Sequence, residues 1–191
     1  FDLPAKDGDK NGVVKKALDG LKKLDPAPLS SKGKLKFIDA ANYDEHLSLL
    51  AECDLVIEAI AERMDWKNDL YAKIAPFLSS TAIIASNTSG LSMNALALGL
   101  PEAVRPRFCG IHFFNPPRYM HLVEIIGTQS TDGSTLDALE TWLTSRLGKG
   151  VIRALDTPNF VANRIGVFSI LAVMHHTQAF GLGFDEVDAL T

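Results

Sequence analysis

Short, almost unbroken apolar runs recur along this chain, and each is followed by a stretch with helical spacing. The runs are "DLVIEAI" (54–60), "TAIIAS" (81–86), "RFCGIHFF" (107–114), "HLVEIIG" (121–127) and "GVIRAL" (150–155). Strands without polar alternation are those buried on both faces. Between or before them lie helical patterns at 11–24, 65–78, 92–100 and 134–148. Strands alternating with helices predict an α/β fold with an open, doubly wound parallel sheet covered on both sides.

Less regular stretches fill the N-terminal third. Residues 1–3 read as the end of a strand, "LKFI" (35–38) as a short strand, and "YDEHLSLLAEC" (43–53) as an amphipathic helix. At the other end, "TPNFVANRIGVFSILAVMHHTQAF" (157–180) reads as one long helix opened by Pro158. It is apolar almost all round, so it should be buried against elements the chain only begins to supply. A domain boundary is expected near Asp156 and Thr157.

Composition excludes several classes of protein. With 47% hydrophobic and 22% charged residues the chain is globular rather than disordered. The net charge is −4 and lysines and arginines are scattered, which argues against a nucleic-acid partner. The longest apolar stretch, 165–174, falls well short of the roughly 20 residues that span a bilayer, so no membrane association is expected. Cys53 and Cys109 have neither disulfide-framework nor metal-knuckle spacing, which suits a reducing, cytoplasmic compartment. His46, His121, His175 and His176 lack ligands at metal spacing, and no metal is expected. The absent initiating methionine and the ending at "FDEVDALT" are read as a piece of a longer chain.

One segment invites a chemical reading: "IHFFNPPRYMHLVEI" (111–125). If its two strands pair antiparallel about a turn near Arg118, His112 faces Glu124, with Cβ atoms about 4.5–5.5 Å apart. The carboxylate could then orient the imidazole and stabilise its protonated form. Spacing equally allows a plain strand histidine with a solvated Glu124, and Asn115 beside two prolines is also an ordinary turn residue. "ASNTSGLS" (85–92) follows a buried strand directly, where open parallel sheets bind ligands, although a capped strand-to-helix loop has the same composition. Glu58 and Glu62 in "IEAIAE" could meet a ribose or cap a helix. Asp2 could be the acidic strand end of a dinucleotide fold. No G-x-G-x-x-G turn occurs in these 191 residues.

Taken in order, "DLVIEAIAER", "ASNTSGLS", "GIHFFNPPRYMHLVEII" and "DTPNFVANRIGVF" closely resemble the L-3-hydroxyacyl-CoA dehydrogenase family of fatty-acid β-oxidation. The opening "DLPAK" and "NGVVKKAL" resemble large bacterial members fused to an enoyl-CoA hydratase. The resemblance implies a Rossmann-type sheet lacking its first βα unit over 1–156, followed by the start of an all-helical dimerisation and substrate domain over 157–191. It implies NAD-dependent oxidation of an L-3-hydroxyacyl-CoA to the 3-oxoacyl-CoA, in a homodimer, and weak or no activity for this piece alone. His112 would be the base, Glu124 its orienting partner, and Ser89 and Asn163 contacts of the substrate oxygen. Asp2, Ile60, Ala61, Glu62, Lys67, Ser89 and Asn115 would lie at the NAD. Two alternatives stay open at this point: a dehydrogenase for a different hydroxy acid, and a non-catalytic relative.

Overall fold

The computed structural model describes residues 1–190. Five strands form one sheet in the order β1 (Leu55–Glu58), β2 (Ile83–Ser86), β3 (Phe108–Phe113), β4 (Leu122–Gly127) and β5 (Gly150–Ala154). All neighbours are parallel except β3 and β4, which pair antiparallel. The helices are α1 (Gly12–Leu21), α2 (Met64–Ile74), α3 (Met93–Ala97), α4 (Gly133–Leu147), α5 (Ala162–Phe180) and α6 (Phe184–Leu190).

The two-residue period of the strands sorts side chains onto two cores. Ile84, Phe108 and Ile126 pack with Tyr71 and Ile74 of α2 and Met93 and Leu96 of α3. Their sequence neighbours Ala85, Cys109 and Ile125 face the other way, onto Leu139 and Leu143 of α4. Gly148 closes α4 with φ 64°, the left-handed conformation that glycine adopts without a Cβ clash. Burial in this second core pushes the Cys109 thiol up to about 12, which leaves it inert.

Several expectations need correction. Residues 1–3 form no strand; Asp2 makes a single parallel bridge to Asn42. The first three residues of "LKFI" belong to a 3-10 helix, Lys32–Phe37, and Ile38 follows it in an extended conformation, because no strand lies beside the segment and local bonds satisfy the helix backbone. Over 43–53 only Leu47–Glu52 is helical, again 3-10, after a turn that Asn42 organises by accepting the N–H groups of Asp44 and Glu45. β1 was expected to be buried on both faces. It is the outer strand of the sheet, and Ile57 is 40% exposed.

The long C-terminal helix starts at Ala162, not at Pro158. Asn159 and Phe160 have φ of 63° and 48°, so the chain turns sharply before the helix can begin. Nor is α5 buried. No residue of it is buried, and Ile165, Phe168, Leu171 and Met174 lie open. No described helix is long and apolar enough to cross a membrane.

Candidate active site

Four polar side chains occupy the α2/α3 face of the sheet at one edge. Glu58 and Ser86 end β1 and β2 and are direct neighbours in the register. His112 and Glu124 are direct neighbours across β3 and β4. They share parity with Val56, Ile84, Phe108 and Ile126, so all four point to the same side. Each is buried. Because β1, β2 and β3 are parallel, this edge is where their carboxyl ends meet, the place where such sheets bind ligands.

The expected opposition of His112 and Glu124 is present. His112 Nδ1 lies 2.7 Å from Glu124 Oε2. Glu124 Oε1 accepts the backbone N–H groups of Val161 at 2.9 Å and Ala162 at 2.8 Å, the first free donors of α5. One carboxylate therefore joins the imidazole to the helix start. An ionised Glu124 can only accept, so the Nδ1 contact assigns the proton to His112 Nδ1 and leaves Nε2 with a free lone pair. Nε2 has no hydrogen-bond partner among the described residues. Rings of Phe114 and Phe160 flank the imidazole, with centroids at 4.5 and 5.7 Å. The backward turn at Asn159 and Phe160 is what brings that second ring over His112.

The loop after β2 is tied on both sides. Asn87 Oδ1 accepts the N–H of Phe113 at 3.0 Å, linking it to the end of β3. Glu62 Oε1 accepts Thr88 Oγ1 at 2.6 Å and the N–H groups of Ser89 and Gly90 at 2.9 and 3.0 Å. Partial burial works to raise the Glu62 carboxyl, but these bonds and the Lys67 charge hold it below the ordinary carboxylate range. Ser89 itself is exposed, and Asn163 Nδ2 donates to its carbonyl oxygen at 3.5 Å. The structure thus brings Ser89 and Asn163 together, although they are far apart in sequence.

The residues expected at a dinucleotide are distributed differently. Of them, Asp2, Ile60 and Ala61 line a cleft of about 710 Å³ beside β1, together with Ile57 and Ala59, which were not among those expected. Asn115 is exposed at the start of the β3–β4 turn. Lys67 lies underneath rather than in the cleft: it is fully buried, and its ammonium donates to Glu58 Oε1 at 2.7 Å and the Ile60 carbonyl at 3.3 Å. The other Glu58 oxygen accepts Ser86 Oγ at 2.6 Å and the Tyr71 hydroxyl at 3.1 Å. Burial and then the Glu58 charge push that hydroxyl well above its ordinary value. Sequence reasoning placed no weight on Tyr71, Ser86 or Phe160. The one available signal was Lys67, Tyr71 and Ile74 falling on a single face of α2.

Comparisons with known proteins place the chain in a family. The NAD binding domain of the 3-hydroxyacyl-CoA dehydrogenases matches residues 8–157. A Rickettsia prowazekii protein bearing the name of a fatty acid oxidation complex trifunctional enzyme is 43% identical over all 191 residues, which cover 26% of its length. A Deinococcus radiodurans protein named as a probable 3-hydroxyacyl-CoA dehydrogenase is 42% identical over 183 residues, 96% of this chain and 53% of that protein. The crystal structure of (S)-3-hydroxybutyryl-CoA dehydrogenase from Ralstonia eutropha superposes with a TM-score of 0.73 at 34% identity, covering 91% of this chain and 60% of that one. The chain therefore spans about a quarter to a half of the curated relatives it matches.

Proposed function

This chain belongs to the 3-hydroxyacyl-CoA dehydrogenase family through its Rossmann-type NAD binding domain, and from that premise we propose that the full-length protein oxidises an L-3-hydroxyacyl-CoA to the 3-oxoacyl-CoA with His112 as base. The observation that carries the reading is the 2.7 Å contact between His112 Nδ1 and a Glu124 that is itself fastened to the start of α5.

The donor set suits a dinucleotide in part. Asp2 offers a carboxylate for a ribose diol at the mouth of the cleft beside β1, and Ile60 and Ala61 offer backbone and an apolar wall. Glu62, Ser89 and Asn115 would stand toward the nicotinamide end. When bound, NAD supplies the acceptor for the hydride leaving C3.

His112 Nε2 takes the proton of the 3-hydroxyl, and the positive charge that develops on the ring is met by Glu124 across the Nδ1 bond. Ser89 and Asn163 supply hydroxyl and amide donors for the oxygen as it becomes a carbonyl. Phe114 and Phe160 limit water around the imidazole. We assign residues 157–191 to the first part of a helical substrate domain. The exposed apolar face of α5, with Ile165, Phe168 and Leu171, supports its covering by further helices of that domain and by a second copy of the chain.

The test follows NADH absorbance in the full-length protein with 3-hydroxybutyryl-CoA and longer acyl-CoAs. His112→Gln should lower kcat by about 10²–10⁴-fold, the range of a positioned general base. A rate within a few-fold of the unaltered protein would remove His112 from the reaction.

A further inference from the structure

The turn between β3 and β4 is short of hydrogen-bond donors of its own. Pro116 and Pro117 carry no backbone N–H, and the N–H groups of Tyr119 and Met120 both go to the Pro116 carbonyl, each at 3.0 Å. The carbonyls of Pro117 and Met120 are served from outside the turn. Lys149, which is buried, donates its ammonium to both, at 2.7 Å for Met120. It makes no ion pair among the described residues, so carbonyl dipoles alone hold this cation, an arrangement that a neutral side chain would avoid. The lysine starts from a fixed point: its own N–H donates to the Leu143 carbonyl at 3.1 Å, at the end of α4, and the Gly150 N–H to the His121 carbonyl at 3.0 Å, just before β4. Asn115 opens the same turn, three residues after His112. Upstream of it Phe113 is held by Asn87, and downstream His121 is held by Gly150, so Lys149 secures the stretch between them. Arg118 and Tyr119 also reach the Ala27 carbonyl, at 2.9 and 2.8 Å, but from the exposed side.

We propose that Lys149 is a positioning residue, which fixes the β3–β4 turn and, through Asn115, the nicotinamide end of the dinucleotide. It acts through the turn and not on a reacting atom. The inference rests on the dehydrogenase reading for the role of Asn115, but not for the hold on the turn. Charge-assisted bonds to two carbonyls are stronger than neutral ones, and they fall on the one part of the hairpin that no strand pairing reaches.

The experiment uses the full-length protein with Lys149→Met, Asn115→Ala and the two combined. Methionine keeps the length of the side chain and removes a buried charge that has no counter-charge, so the fold should persist. Lys149→Gln, which keeps a neutral donor, carries the same test if the methionine variant does not fold. Three quantities are read: amide hydrogen exchange at Tyr119 and Met120 without cofactor, kcat and KM for NAD, and the pH profile of kcat/KM for the acyl-CoA. In Lys149→Met the two amides should exchange at least about tenfold faster, while those of β1 and β2 keep their rates. The kcat/KM for NAD should fall roughly 10–100-fold, the scale of an ångström misplacement. The midpoint of the pH profile, which reports the base, should stay where it is. Because Lys149 acts through Asn115, the double variant should lose no more than the worse of the two single ones.

Unchanged exchange at Tyr119 and Met120 overturns the inference. Losses that add in the double variant also overturn it, since Lys149 would then act independently of Asn115, and so does a shifted midpoint, which would put the effect at His112. If the unaltered protein lacks dehydrogenase activity but the two amides still exchange faster in Lys149→Met, the hold on the turn stands and the proposed reaction falls.

Discussion

Glu58 and Glu124 are both buried carboxylates on the same face and edge of one sheet, and they differ in what surrounds them. Glu58 accepts from Lys67, Ile60, Tyr71 and Ser86, so every donor around it comes from within the fold and the network is closed. Glu124 accepts from Val161, Ala162 and His112, and its network ends on Nε2 of an imidazole with no further partner among the described residues. A closed network can only hold a shape. An open one can pass a proton.

The largest expected contrast lies in rate. In Glu124→Gln the side chain keeps one oxygen for the N–H groups of Val161 and Ala162, and its amide nitrogen then faces His112 Nδ1. Nδ1 then has to accept, so the proton moves to Nε2 and the proposed base is lost. Turnover should drop by about 10²–10⁴-fold, with NAD affinity nearly unchanged. Glu58→Gln should cost far less in rate, since it touches no reacting atom. Equal losses in the two variants, measured as kcat under NAD saturation, would erase the distinction between open and closed networks.

Stability should run the other way. Glu58→Ala leaves the Lys67 ammonium buried without its counter-charge, a change that costs about 3–5 kcal/mol when one partner of a buried pair is removed. Glu124→Ala strands two backbone N–H groups and an imidazole that can remain neutral, at about 1–3 kcal/mol. Urea unfolding of both variants measures the difference. A Glu124→Ala protein less stable than Glu58→Ala would mean that the dyad, rather than the ion pair, is the main polar anchor of this edge.

How much of this was legible in the sequence depends on whether a feature is local. The opposition of His112 and Glu124 follows from two apolar strands of fixed period around one turn, and the register confirms it. The order of strands and helices from residue 54 to the long helix α5 was readable for the same reason, whereas α6 was not anticipated. What Glu124 does with its other oxygen was not, because Val161 and Ala162 are 37 and 38 residues away and become free donors only through the positive φ of Asn159 and Phe160. Lys67 in "DWKNDL" has the look of a surface residue. Its burial depends on Glu58, nine positions earlier on a strand whose outward or inward face the sequence could not assign. "LKFI" failed as a strand because pairing needs a neighbour, and propensity alone cannot supply one. Ser89 and Asn163 were reached only through the family resemblance; their proximity is a property of the loop and helix start, not of any spacing.

The smallest expected effect concerns a third carboxylate, Asp156, which extends the comparison to the surface. It accepts from the Met93 and Asn94 N–H groups, the Ser92 hydroxyl and the Asn94 amide, binding the end of β5 to the start of α3. Partial burial works to raise its carboxyl, but these bonds outweigh that and hold it below the ordinary value of 3.8. A group depressed in the folded state adds stability that is fully present above its unfolded value and is lost as pH falls through the folded one. Asp156→Asn should therefore lower the urea midpoint at neutral pH, and the gap to the unaltered protein should close as the pH drops below about 4. Solvent screens this site, unlike Glu58, so the gap should be the least of the three. A gap that stays constant from neutral to acid pH would mean that Asp156 contributes through the shape of its side chain and not through its charge.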